Sequence, residues 1–182
     1  MINNDVLKVL VSEDEIVKKC QELGEIITND YQNKDLLLLG LLKGCNPFMA
    51  DLAKYINLPI ELAYMVVSSY HGGTSSTLEI QIKYDLEIPI KGRNILIVED
   101  IVDTGNTITT VSELLKHRGA NSVEVVTLLD KPAGRLKVFN PKYIGFTIPK
   151  EFVVGYGLDY QEKYRNLRYV GILKPEIYTK GV

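Results

Sequence analysis

Cysteine and histidine are scarce in this sequence, with two of each among 182 residues. Cys20 and Cys45 form no CxxC pair and fall in different predicted elements, so the pattern offers neither a zinc site nor a disulfide framework. Both thiols are expected to be buried or partly buried. His71 and His117 form no ligand cluster: the first sits in a Gly/Ser-rich stretch and the second near a helix end, where a cation suits the dipole. Long apolar runs are also missing. None approaches the roughly 18 residues of a membrane span, and no basic segment leads into an apolar stretch at the start, so a cytoplasmic location without a membrane partner is expected. Charge of one sign is not concentrated anywhere. Lys and Arg total 21 against 23 Asp and Glu, a net charge of −2, which argues against a nucleic-acid partner. No repeat, low-complexity tract or linker divides the chain. Residues 1–182 are therefore expected to form a single domain, long enough to bury roughly 70% of its unfolded surface.

What is present is an alternation of strands and helices. "SEDE" at 12–15 has the form of a capping box, and Ile16, Leu23, Ile26 and Ile27 follow at helical spacing. "DLLLLGLLKG" reads as a strand buried on both faces and closed by Gly44. "NPFMADLAKYI" then reads as a helix with Asn46 as cap and Pro47 in its first turn. "IELAYMVVSSY" is strand-like, "HGGTSST" at 71–77 reads as a mobile loop, and "LEIQIKY" alternates as a half-buried strand should. "RNILIVED" is a second strand buried on both faces. It is followed by a helix over "NTITTVSELLKHRG" with Gly119 as its C-cap, a third such strand "SVEVVTLLD", then "YIGFTI" and "RYVGIL". Repeated β-α-β units predict an α/β fold with a mainly parallel central sheet flanked by helices. Such sheets bind ligands beyond the carboxyl ends of their strands.

The stretch "VEDIVDTGNT", residues 98–107, lies at such an end. Glu99 and Asp100 close a strand predicted to be buried, where unpaired ionised groups would be costly, so they are expected to face the crevice and meet a cation or sugar hydroxyls. From Thr104 the chain is expected to turn through Gly105 into a helix. That turn would set free backbone N–H groups beside the Thr104 and Thr107 hydroxyls as a phosphate cradle. Simple capping of the helix accounts for Asp103 alone among the three acids.

"ILIVEDIVDTGNT" resembles the signature of the type I phosphoribosyltransferases, which bind 5-phosphoribosyl-1-diphosphate (PRPP) with magnesium. Matches in "LLLLGLLKG", "SSY", "LLDKP", "GFTIPKEFVVGYGLDY" and "KYRNL" narrow the resemblance to the hypoxanthine-guanine branch and cover about four fifths of the chain. Mammalian members carry Lys where this sequence has Asn106, which leaves the phosphate half lighter by one positive charge. The loop "HGGTSST" also differs from theirs in composition.

The resemblance implies a type I phosphoribosyltransferase fold with a small hood built from chain-terminal segments, and a homodimer or homotetramer. It implies that Glu99 and Asp100 hold the ribose hydroxyls and Mg2+, with Asp159 near the purine 2-amino group or a pyrophosphate-bound Mg2+. Asp103 would be the proton acceptor, and Thr104, Gly105, Asn106 and Thr107 would hold the 5-phosphate. Lys43, Gly44 and Arg165 would bind pyrophosphate, the peptide entering Lys43 often being cis in the family. Lys131 would donate to the 6-oxo group, Phe152 would stack on the purine, and Val153 would offer backbone groups to its pyrimidine edge. Ser69 and Tyr70 would lead a loop that closes over the reacting centre. The implied substrates are PRPP and a 6-oxopurine, joined to give IMP or GMP in purine salvage.

Two other readings remain beside it. One is a phosphoribosyltransferase for another base, notably xanthine or a pyrimidine. The other is a non-catalytic relative that keeps the fold to bind RNA, which would show clustered Lys and Arg on one face.

Overall fold

The computed structural model describes residues 2–70 and 79–179. The predicted loop at 71–77 lies outside the described residues, as do the side chains of Ser69 and Tyr70. Chain order is β1 (Val6–Val11), α1 (Glu13–Asp30), β2 (Leu36–Leu42), α2 (Asn46–Ala53), β3 (Glu61–Tyr70), β4 (Glu79–Tyr84), β5 (Asn94–Val102) and α3 (Asn106–His117). It continues through β6 (Ser122–Asp130), β7 (Tyr143–Thr147), β8 (Val153–Val154) and β9 (Val170–Leu173) to α4 (Pro175–Tyr178).

The capping box forms as its sequence requires. Ser12 Oγ accepts from Glu15 N–H, and Glu15 Oε2 accepts from Ser12 N–H at 2.8 Å, so two donors at the start of α1 are satisfied reciprocally. The start of α2 differs from expectation. Its cap is Cys45, without a side-chain cap bond, and Asn46 is already helical, because Pro47 supplies no N–H that would need a cap. At the far end of α3 the cap is Arg118, and Gly119 follows at φ +89°, one residue beyond its expected role.

Six strands form the central sheet in the order β4-β3-β2-β5-β6-β7, with β4 alone antiparallel to its neighbour. Leu36 and Leu38 of β2, with Leu96 and Val98 of β5, belong to the core covered by α1 and α2. Leu37, Leu39 and Leu41, with Ile95 and Ile97, belong to the core beneath α3, where Ile108, Val111 and Leu115 meet them. Strict alternation between two cores is why both strands read as unbroken apolar runs, each buried Leu or Ile being worth roughly 1.5–3 kcal/mol.

That alternation breaks at the two acids. Val98 and Ile101 share one core although they are three residues apart, and Val102 lies in the other, so Glu99 and Asp100 sit in the slip between them. The strand itself continues to Val102, two residues past the predicted end.

A second, three-stranded antiparallel sheet, β1-β9-β8, joins the start of the chain to its end and forms the hood. Among the described residues no helix is long and apolar enough to cross a membrane. Cys20 and Cys45 are buried and free.

Candidate active site

The carboxyl ends of β2 and β5 flank a cleft of about 270 Å³. Lys43, Gly44, Glu99, Asp100, Asp103, Thr104, Gly105 and Thr107 all line it.

Glu99 is 9% exposed and Asp100 lies beside it. Burial, reinforced by the neighbouring Asp100 charge, pushes the Glu99 carboxyl well above its ordinary range. Burial also raises Asp100 from 3.8 to about 6, even though its Oδ1 accepts the Ile101 N–H at 2.8 Å. Two adjacent carboxylates held this way favour protonation or a cation. Gly44 is packed directly against the second of them: a Cβ at this position would lie 1.7 Å from Asp100 Oδ2. Any side chain after Lys43 would therefore force the β2 turn or the Asp100 carboxylate to move.

Past Val102 the chain enters α3 through a left-handed residue, Gly105, at φ +80°. Gly105 caps the helix without a side-chain bond, so Asp103 is not a helix cap. The Asn106 N–H points back to Thr104 Oγ1 at 3.3 Å. Asp103 instead accepts from Lys131 Nζ at 3.0 Å, across from the end of β6. Gly134 lets the next turn close over it, since a Cβ there would meet Asp103 Oδ1 at 1.6 Å.

On the β2 side the Leu42–Lys43 peptide is cis. Lys43 Nζ pairs with Glu162 Oε2 at 2.9 Å. Arg165 binds Asp159 Oδ1 at 2.8 Å and Glu162 Oε1 at 3.3 Å through NH2, and donates to the Gly157 carbonyl through NH1. Gly157, at φ +99°, abuts the Gly44 carbonyl, where a Cβ would come within 2.0 Å. Positive charge from Arg165 and negative charge from Asp159 both reach Asp100.

A model of the phosphoribosyl transferase domain matches residues 9–161. A hypoxanthine-guanine phosphoribosyltransferase of Lactococcus lactis is 58% identical over 98% of this chain and 97% of the relative, and one of Streptococcus pneumoniae is 54% identical over 98% and 99%. This chain belongs to the hypoxanthine-guanine phosphoribosyltransferases. A solved hypoxanthine phosphoribosyltransferase of Staphylococcus aureus superposes with a TM-score of 0.94 at 52% identity, covering 97% of this chain and 96% of that one.

Among the described residues, Lys131, Asn106, Phe152, Val153, Asp159 and Arg165, also singled out for this phosphoribosyltransferase, are not part of the cleft lining. Lys131 reaches it through Asp103, and Asn106 begins α3 between two lining residues, Gly105 and Thr107. Phe152, 39% exposed, stacks on Tyr178 with centroids 4.8 Å apart and meets Tyr160 edge-on, so one ring face is already covered. Val153 is buried in β8, the edge strand of the hood. Ser69 and Tyr70 end β3, followed by the residues outside the description.

Two charged residues of the site escaped the sequence reading. Glu162 was hidden because it follows Gln161, both at positive φ, in a turn whose shape no local pattern announces. Arg135 donates from NH1 to the carbonyls of Val102 and Asp103, both at 2.8 Å, and pairs with Asp130 through NH2. The only signal for it was proximity in sequence to Lys131.

Proposed function

We propose that this chain transfers the 5-phosphoribosyl group of PRPP to hypoxanthine or guanine, forming IMP or GMP and pyrophosphate in purine salvage. The observation that carries this reading is the meeting, in one cleft, of the Lys43–Gly44 turn, the Glu99–Asp100 pair and the turn from Asp103 to Thr107. These supply an anion site, a cation and hydroxyl site, and a phosphate turn with an acid beside it.

Glu99 and Asp100 hold the ribose hydroxyls. Their chemistry fits Mg2+, which favours oxygen ligands and retains water: among the described residues no cluster of three or more potential ligands stands ready, so an ion here would be shared with substrate oxygens. When bound, Mg2+ offsets charge on the departing pyrophosphate. Backbone amides and hydroxyls from Thr104 to Thr107 receive the 5-phosphate at the start of α3, with Gly105 allowing close approach. Lys43, Gly44 and Arg165 bind pyrophosphate, the guanidinium suiting two oxygens at once. As N9 of the purine attacks C1 of the ribose and the C1–O bond to pyrophosphate breaks, Asp103 takes the proton from N7, a contribution of typically ~10²–10⁴-fold. Lys131 donates to the 6-oxo group, which a 6-amino purine cannot accept. Phe152 stacks on the base with its uncovered side, Val153 offers backbone groups to the pyrimidine edge, and Asp159 lies near the 2-amino group or the pyrophosphate end. Ser69 and Tyr70 lead a segment that shields the reacting centre from water. A homodimer or homotetramer in the cytoplasm completes the reading.

The test is nucleotide formation from PRPP and magnesium with hypoxanthine, guanine, xanthine, adenine and uracil in parallel, with a chelator control. Magnesium-dependent IMP and GMP with little product from adenine or uracil supports it. No product from any base, despite PRPP binding, removes it.

A further inference from the structure

Three successive carbonyls of the site turn are held from behind by one short segment. Val102 O accepts from Lys131 N–H at 3.0 Å and from Arg135 NH1 at 2.8 Å. Asp103 O accepts from the same NH1, also at 2.8 Å. Thr104 O accepts from the N–H groups of Leu136 at 2.9 Å and Lys137 at 3.1 Å. The guanidinium is itself fixed: NH2 pairs with Asp130, the last residue of β6, and the two side chains are 14% and 10% exposed.

We propose that Arg135 is a positioning residue for the reaction, acting through Asp103 and through the turn that follows it. By drawing the Val102 and Asp103 carbonyls toward β6, it fixes the peptide planes on either side of Asp103. That sets the direction of the carboxylate and, one residue on, the orientation of the amides that receive the 5-phosphate. The proposal rests on the reading of Asp103 as proton acceptor and of Thr104 to Thr107 as phosphate turn. Arginine is the residue this task selects. A planar fork can hold two carbonyls and a carboxylate in fixed relative directions, whereas a lysine ammonium keeps the charge and loses the geometry. Small displacements of a reacting group are costly to rate, so a residue that never touches substrate can govern turnover.

The experiment compares wild type, Arg135→Lys, Asp103→Asn and the double variant of the full chain, each with its thermal midpoint, in steady-state assays with hypoxanthine, PRPP and magnesium. Ribose 5-phosphate is used as a separate binding probe. Arg135→Lys is expected to remain folded, to lower kcat about tenfold, and to weaken ribose 5-phosphate about fivefold. In the Asp103→Asn background the same change should lower kcat by less than about twofold, since residues acting as one unit are not additive. An equal loss in both backgrounds, or unchanged kcat and unchanged ribose 5-phosphate binding, would overturn the proposal. If Asp103→Asn alone leaves kcat intact, the proton-acceptor reading fails, and ribose 5-phosphate binding then decides on Arg135 by itself. Asp130→Asn serves as a second variant, keeping Arg135 but loosening it, with a smaller loss in the same direction expected. Failure of both Arg135→Lys and Asp130→Asn to fold would also overturn the proposal, by making the pair a requirement of the fold rather than of the site.

Discussion

The Lys131 ammonium lies 3.0 Å from the Asp103 carboxylate, joining the end of β6 to the turn after β5. In the proposed reaction these are the group that reads the 6-oxo position and the group that receives the proton, so recognition of the base and its activation share one ion pair. Replacing Lys131 by Ala is expected to lower the ratio of kcat/KM for hypoxanthine over adenine by at least about tenfold, because a partly buried donor no longer serves the 6-position. An unchanged ratio would mean that another group reads that position.

Glu162 occupies two cations, Lys43 at 2.9 Å and Arg165 at 3.3 Å, that the proposed mechanism assigns to pyrophosphate. An incoming pyrophosphate must displace it. Glu162→Gln is therefore expected to tighten pyrophosphate inhibition a few-fold while leaving thermal stability nearly unchanged, since exposed ion pairs contribute little to folding. Inhibition measured against PRPP checks this, and weaker inhibition would make Glu162 an organiser of the site rather than a competitor.

The raised carboxyls predict a pH dependence of stability. Asp100 titrates at about 6 in the folded chain against an ordinary 3.8, so the folded state binds the extra proton between those values and stability falls as pH rises through them. Glu99 is shifted in the same direction. Asp100→Asn, free of that penalty, is expected to be more stable than wild type at pH 8 by on the order of 3 kcal/mol, with most of the advantage gone near pH 4. Denaturant unfolding at the two pH values measures it. The same variant should bind PRPP with magnesium less tightly.

Gly44→Ala places a methyl carbon 1.7 Å from Asp100 Oδ2. Either the β2 turn or the carboxylate must move, and KM for PRPP is expected to rise at least about tenfold with little change in KM for hypoxanthine. Equal changes in both constants would show that the turn does not separate the two substrates.

The central sheet was legible because alternation between two cores writes itself as the unbroken runs over Leu36–Leu42 and Ile95–Val98. The turn was legible for a different reason: Asp103, Thr104 and Gly105 are local chemistry on consecutive residues. The hood was less so. Strand β1 exposes Leu7 and Val9 and, among the described residues, pairs with β9 alone, at the opposite end of the chain, and β8 has just two residues, so neither leaves a periodic signal. Charge at Glu99 and Asp100 reads as a boundary in the sequence, whereas the slip in core alternation accommodates both within β5, which runs on to Val102. Arg135 and Glu162 act on atoms distant in sequence, Glu162 across 119 residues to Lys43, and nothing local marks such partners.

The most direct measurement of the central claim, that the turn after β5 is the reacting centre, is single-turnover nucleotide formation by Asp103→Asn beside its affinity for PRPP with magnesium. The account predicts product formation slowed by at least about tenfold with PRPP affinity within a few-fold of wild type. An unslowed turnover would contradict it and place the proton transfer on another group.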